Sequence, residues 1–208
     1  MPKREIGVLI AAAGASSRMG FPKALMLIDG KVAAITLAEK FLLAKLAQVF
    51  ITLPDAFFAG GTLVKQLEKL RIFAIKNRFA TYGYAGSIMS GVKLLRPSSL
   101  GLFITPIDSS VKITLIRLMR DIAYCFSSRP LIIVPDCHHK AGHPTYLSHH
   151  FFNELLLCHR YLGLNRLIEH HKRHVLKLAS FDDNTLININ DQQTWLKVVI
   201  AKNKSQPL

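Results

Sequence analysis

The apolar run Ile6-Gly7-Val8-Leu9-Ile10 passes directly into AAAGASSRMGFPK, the stretch from Ala11 to Lys23. The run has the length and β-branching of a strand buried on both faces. The stretch after it is built mostly from small side chains, with glycines at 14 and 20 and cations at Arg18 and Lys23. Small residues let a backbone approach a ligand closely, and consecutive N–H groups form a concavity for anions. The stretch therefore reads as a phosphate-cradling loop at the carboxyl end of a first strand. The alternative is a plain strand-to-helix turn with surface cations. Two better-known loops are excluded. A P-loop needs Lys after its second glycine, but Phe21 follows Gly20 here, and the dinucleotide pattern GxGxxG is absent.

Downstream, helical and extended patterns alternate. Strands are expected over 49–53, 72–75, 100–105 and 131–134, with helices over 33–46, 62–70, 87–95 and 113–126. Residues 24–28 read as a short extended piece turning at Asp29-Gly30, 77–86 as a loop, and 135–144 as a second loop. Helices near 151–158 and 164–172, strands near 175–178 and 186–189, and a last helix over 192–202 capped by Asp191 complete the chain. Such alternation predicts a parallel sheet covered on both faces, an α/β domain whose ligands sit outside the carboxyl ends of the strands. One domain is expected over 1–208, with 202–208 a flexible tail.

Composition narrows the function classes. Against 13 acidic residues stand 27 Lys and Arg, a formal charge of +14 that favours anionic ligands without choosing among them. No helix-turn-helix or aromatic RNA-binding pattern accompanies the charge, so nucleic acid is not the expected ligand. No apolar run reaches the roughly 18 residues of a membrane span. Three widely spaced cysteines, at 125, 137 and 158, imply no disulfide framework. With no leader pattern at the start, a cytoplasmic location is expected.

The loop AAAG-x-SSRMG-x-PK resembles the signature of the nucleotidyltransferases with a MobA-like fold, and within them the molybdenum cofactor cytidylyltransferases. The resemblance implies a single Rossmann-like nucleotidyltransferase domain with a mostly parallel central sheet flanked by helices. It implies transfer of a nucleoside monophosphate from a nucleoside triphosphate, CTP, to a phosphorylated acceptor, molybdopterin bearing molybdenum, with pyrophosphate released and Mg²⁺ as cofactor. A client molybdoenzyme would be the protein partner. Sugar- or alcohol-phosphate cytidylyl- and uridylyltransferases, and a nucleotide-binding relative without turnover, are the alternative readings.

Carried over residue by residue, the family's pattern assigns the triphosphate to Ala12, Ala13, Gly14, Ala15, Ser16, Ser17, Arg18 and Lys23. Arg18 and Lys23 neutralise charge in catalysis. Ala13 stands where the family's guanylyltransferases carry a glycine, and its methyl favours the smaller pyrimidine ring. Asp108, just past an apolar strand, admits a turn-forming role from its residue type and a metal-binding, catalytic role from the family, whose element here lacks its Met-Pro and reads Asp108-Ser109-Ser110. The family's second metal element aligns with Asn188-Ile189-Asn190, both aspartates having become asparagines. Asn190 would offer only a neutral carbonyl oxygen. Gly86 and Ser87 are expected to border the base, Ser87 also suiting a helix N-cap, and Gly142-His143-Pro144 to lie on the acceptor side. Cys137, His138, His139 and His143 lack the paired spacing of a zinc site.

Overall fold

In the computed structural model, residues 5–14, 20–28, 30–46, 48–95 and 98–179 are described. The strands are β1 (Ile6–Ala11), β2 (Leu27–Ile28), β3 (Lys31–Val32), β4 (Gln48–Leu53), β5 (Phe73–Lys76), β6 (Gly101–Pro106), β7 (Ile132–Cys137), β8 (Lys140–Ala141), β9 (Thr145–Ser148) and β10 (Val175–Ala179). The α-helices are α1 (Ala33–Leu43), α2 (Thr62–Lys69), α3 (Gly83–Val92), α4 (Ile113–Cys125), α5 (Phe152–Leu155) and α6 (Leu164–His170).

β1 is buried throughout and pairs in parallel with β4 on one side and β6 on the other. The main sheet runs β10-β7-β9-β6-β1-β4-β5, with β8 attached to β7, while β2 and β3 form a separate small hairpin. Alternation along the strands gives each face its own core. Val8 and Ile10 pack with α1, α2 and α4, whereas Leu9 packs with α3, α5 and α6. A strand apolar at every position can serve both faces only in such a sandwich of layers. Among the described residues no helix is long and apolar enough to cross a membrane.

Three features depart from the expected order of elements. β9 falls just beyond the anticipated loop and runs antiparallel to both β6 and β7. Lys140–Ala141 folds back on β7 inside that loop, making a tight hairpin through His138 and His139, both at positive φ. α3 begins at Gly83, four residues before the expected start, so Ser87 lies inside the helix and is not its N-cap. Gly86 belongs to this helix because its backbone presses on the preceding turn. A Cβ there would lie 1.8 Å from the Phe79 carbonyl oxygen. That close approach offsets the low helix propensity of glycine. The expected strand 186–189, the helix 192–202 and its cap Asp191 lie outside the described residues.

Candidate active site

The carboxyl ends of β1, β4 and β6 are tied together by backbone bonds that continue past the strands. Ala12 N–H donates to Thr52 O at 3.1 Å, and Ile107 N–H donates to Ala11 O at 3.1 Å. The loops after β1 and β6 therefore leave the sheet side by side. Ala12 is buried in the core and its N–H is committed to β4, while Ala13 is half-buried and Gly14 exposed. Among the described residues, a Cβ on Gly14 would meet no atom within 4 Å.

Lys23 opens a 3-10 turn over Lys23–Leu25, after Pro22 fixes the backbone in an extended conformation. Ala24 and Met26 are buried and anchor the turn, and Met26 O accepts the Ala33 N–H at 2.7 Å. The anchoring turns Lys23 toward the next loop. Its Nζ donates to Asp108 Oδ2 at 2.6 Å, with the two side chains 15% and 10% exposed. The turn that carries Asp108 is closed by its backbone, Ser109 N–H to Pro106 O at 3.2 Å. The carboxylate faces the cation of the first loop and does not stitch its own turn. A charge-assisted bond with so little water around it is among the stronger polar contacts available to a protein.

The antiparallel β9 brings a third loop to the same edge. Thr145 is in register with Ile104, so the residues before it, Gly142-His143-Pro144, arrive beside the end of β6. Gly142 N–H donates to Pro135 O at 2.8 Å, and the His143–Pro144 peptide is cis. Burial holds the His143 imidazole down to about 4, against the smaller opposing pull of the Asp108 charge. At neutral pH the ring is uncharged, and its Nδ1 is buried with no hydrogen-bond partner.

Two groups that the sequence pattern did not single out complete the surroundings of Asp108. Tyr84, in the first turn of α3, has its phenol pushed far above the ordinary tyrosine value, first by burial and then by the charges of Asp108 and Cys158. Its hydroxyl and that of Ser109 are both buried and unpartnered.

The neighbouring loop after β5 is closed on itself. Asn77 is buried; its Nδ2 donates to Ser87 Oγ at 3.3 Å, and its Oδ1 accepts from Phe79 N–H at 3.0 Å and Ser90 Oγ at 3.1 Å. Of the residues expected from the sequence, Lys23, Asp108 and His143 converge, with Ala12, Ala13 and Gly14 beginning the loop beside them. Gly86 and Ser87 are held in the Asn77 and Phe79 packing. Ala15, Ser16, Ser17, Arg18 and Asn190 lie outside the described residues.

The oxygen of Asp108 suits a hard divalent cation, whereas the neutral ring nitrogen of His143 does not belong to the usual ligands of one. Among the described residues, however, no three His, Cys, Asp or Glu side chains are grouped so as to hold one. Asp108 fits as a single protein carboxylate whose other partners would be ligand oxygens.

Residues 8–175 match the sequence model of the MobA-like NTP transferase domain. No curated protein matches the chain in sequence. Among solved structures, Rv0371c from Mycobacterium tuberculosis H37Rv is similar with TM-score 0.77 and 21% identity over 96% of this chain and 100% of that one. The same mycobacterial protein has also been solved in complex with manganese, matching with TM-score 0.68 and 18% identity over 95% and 98% of the two chains. A nucleotidyl transferase from Methanothermobacter thermautotroptrophicus gives TM-score 0.76 and 16% identity over 97% of this chain and 99% of that one. CTP:phosphocholine cytidylyltransferase from Streptococcus pneumoniae gives TM-score 0.65 and 14% identity over 95% and 99%. At these identities the likeness is one of fold.

Proposed function

The chain belongs to the MobA-like NTP transferase family, and from that premise we propose that it moves a cytidine monophosphate unit from CTP to a phosphorylated acceptor. The observation that carries the reading is the Lys23–Asp108 pair, which joins the cation of the first loop to an acid 85 residues later at the ligand edge of the sheet. Molybdopterin bearing molybdenum is the proposed acceptor, on the strength of the loop signature. CTP is favoured by Ala13, whose methyl narrows the loop where the base would lie. The fold is shared with a cytidylyltransferase that acts on phosphocholine, so a sugar or alcohol phosphate is the competing acceptor class.

In the proposed reaction an oxygen of the acceptor phosphate forms a bond to the α-phosphorus of CTP. The bond from that phosphorus to the oxygen bridging to the β-phosphate breaks, and its electron pair leaves with pyrophosphate. A phosphate monoester has its second pKa near about 6 and is already ionised at neutral pH, so no general base is needed. Neutral His143 agrees with this economy: it offers a hydrogen bond, not a charge. The Lys23 ammonium carries three donors. While one holds Asp108, the ammonium can turn another to phosphate oxygens and offset the charge of the in-line geometry. Arg18 is proposed to share that task. A divalent cation, Mg²⁺ in our reading, would be held by Asp108, by the Asn190 carbonyl oxygen and by phosphate oxygens, and when bound would spread the charge of the transferring group.

Two measurements test this together. A thermal-shift series with the four nucleoside triphosphates, each with and without Mg²⁺, should show its largest stabilisation with CTP and Mg²⁺. Pyrophosphate release with an acceptor panel should then appear only with a phosphorylated acceptor. Stabilisation without turnover on any acceptor would make the protein a nucleotide-binding relative, and stabilisation by GTP above CTP would overturn the choice of base.

A further inference from the structure

Among the described residues, five other than glycine have positive φ: Lys45, Arg71, His138, His139 and Leu162. Lys45 and Arg71 lie just past the ends of α1 and α2, and Leu162 closes the 3-10 turn Cys158–Tyr161. A left-handed residue at such a place is an ordinary way to stop a helix. His138 and His139 have another setting. They are consecutive and form the two-residue turn between β7 and β8, where Cys137 pairs with Lys140. A turn with positive φ at both positions is best filled by Asn-Gly. Histidine enters the left-handed region more readily than most residues, but at both positions its Cβ still crowds the backbone. Strain of this kind persists where the side chains it displays are used.

The strand registers place this tip relative to the ion pair. Tyr146 of β9 lies opposite Phe103 of β6 and Ile133 of β7, so those two residues are level across the sheet. Asp108 comes five residues after Phe103, and His138 comes five after Ile133. The hairpin and the Lys23–Asp108 pair thus rise from the same carboxyl edge, on strands two sheet spacings apart, roughly 10 Å. His138, His139 and Lys140 are all exposed at the tip. The one acid between residues 134 and 146, Asp136, is engaged by Lys177 at 3.4 Å. The tip therefore presents two imidazoles and an ammonium, donors suited to an anion.

We propose that His138, His139 and Lys140 form a second anion site, which holds the far end of an acceptor that carries an acidic group besides its attacking phosphate. The inference rests on the nucleotidyl-transfer reading and narrows its acceptor class. With the attacking phosphate beside Asp108, the body of the acceptor spans the two sheet spacings, about 10 Å, between the sites. A far end that is cationic, as in phosphocholine, would face the Lys140 ammonium and be repelled.

The test compares fructose 1,6-bisphosphate, with phosphates at opposite ends of one sugar, and fructose 6-phosphate, which has only one. Each is titrated by calorimetry into the full chain saturated with Mn²⁺ and the α,β-methylene analogue of CTP, which blocks transfer. The wild type should bind the bisphosphate at least fivefold more tightly than the monophosphate. His138→Asn/His139→Gly installs the pair that the turn favours. It should raise the ligand-free Tm, abolish the preference for the bisphosphate and leave the affinity for the CTP analogue within twofold. Lys140→Gln, which leaves the turn alone, should lower the same preference. Equal affinities for the two sugars in the wild type, a preference kept by the double variant, or a fall in its Tm would overturn the inference while the nucleotidyl-transfer reading stands. If the wild type does not bind the CTP analogue, that reading fails and the inference falls with it.

Discussion

Beyond β5, Asn77 is surrounded by partners: Ser87, Ser90 and the Phe79 backbone answer both ends of its amide. Beyond β6, Asp108 has Lys23, but Tyr84, Ser109 and His143 around it each keep a buried atom unanswered. Both clusters lie at the carboxyl edge of one sheet, and both are polar and buried. The first is complete without a ligand and holds α3 against the turn before it. The second is complete only as an ion pair. Closure of hydrogen bonds thus distinguishes the two clusters where residue type does not, since serines occur in both.

The comparison can be broken most forcefully at Asn77. Asn77→Ala would orphan two serine hydroxyls and a backbone N–H together, and a cost of about 3 kcal/mol in stability is expected. Urea denaturation measures it, and the affinity of the folded variant for CTP should stay within twofold of the wild type. A stable variant that binds CTP poorly would move the Asn77 cluster from scaffold to site.

A smaller effect should follow pH through His143. Its folded value, about 4, lies below the ordinary 6.5. On acidification the unfolded chain takes up the proton first, so stability falls as pH drops below 6.5 and the loss levels off below 4. By linkage it amounts to about 2 kcal/mol at pH 5. Denaturation midpoints at pH 7 and pH 5 should show this slope, and His143→Gln should flatten it. An equal slope in the variant would mean that other groups carry the acid sensitivity.

The smallest expected change sharpens what the ion pair does. Lys23→Met should weaken CTP binding about tenfold, or roughly 1.4 kcal/mol. In the absence of nucleotide it should raise Mn²⁺ affinity, because an ammonium and a metal ion compete for the same carboxylate. Mn²⁺ titration followed by electron paramagnetic resonance reads the second effect. Mn²⁺ affinity that falls in the variant would show that Lys23 supports the metal position instead of masking it.

Much of the fold is legible because the five core parallel strands are apolar runs of four to six residues bounded by turn residues. β9 is not legible in the same way. Thr145-Tyr146-Leu147-Ser148 is short, and its antiparallel course depends on a gap between β6 and β7 that no local pattern encodes. The early start of α3 was hidden by Gly83 and Gly86, whose composition reads as loop until Gly86 is seen against Phe79. In the site, Lys23 and Asp108 stand out as a loop cation and a strand-end acid, but their contact spans 85 residues. Tyr84 lies in the segment that supplied Gly86 and Ser87, but that pattern does not single it out. Its surroundings come from where α3 packs, which no local pattern encodes.

The reversed course of β9 also divides the labour of change between two kinds of connection. The loop after β1 must hand the chain on toward α1 through a turn anchored by Ala24 and Met26, so altering its length disturbs the core on one face. The segment 138–144 instead returns to the strands it left: β7 departs, β8 folds back on it, and β9 re-enters between β7 and β6. Such an out-and-back excursion is an appendage to the sheet, with both its feet on neighbouring strands. It can lengthen, shorten or exchange residues while the registers that bear its feet stay unchanged. On the proposed reading, a chain built this way would keep its grip on the nucleotide and revise the acceptor by editing a single fold-back.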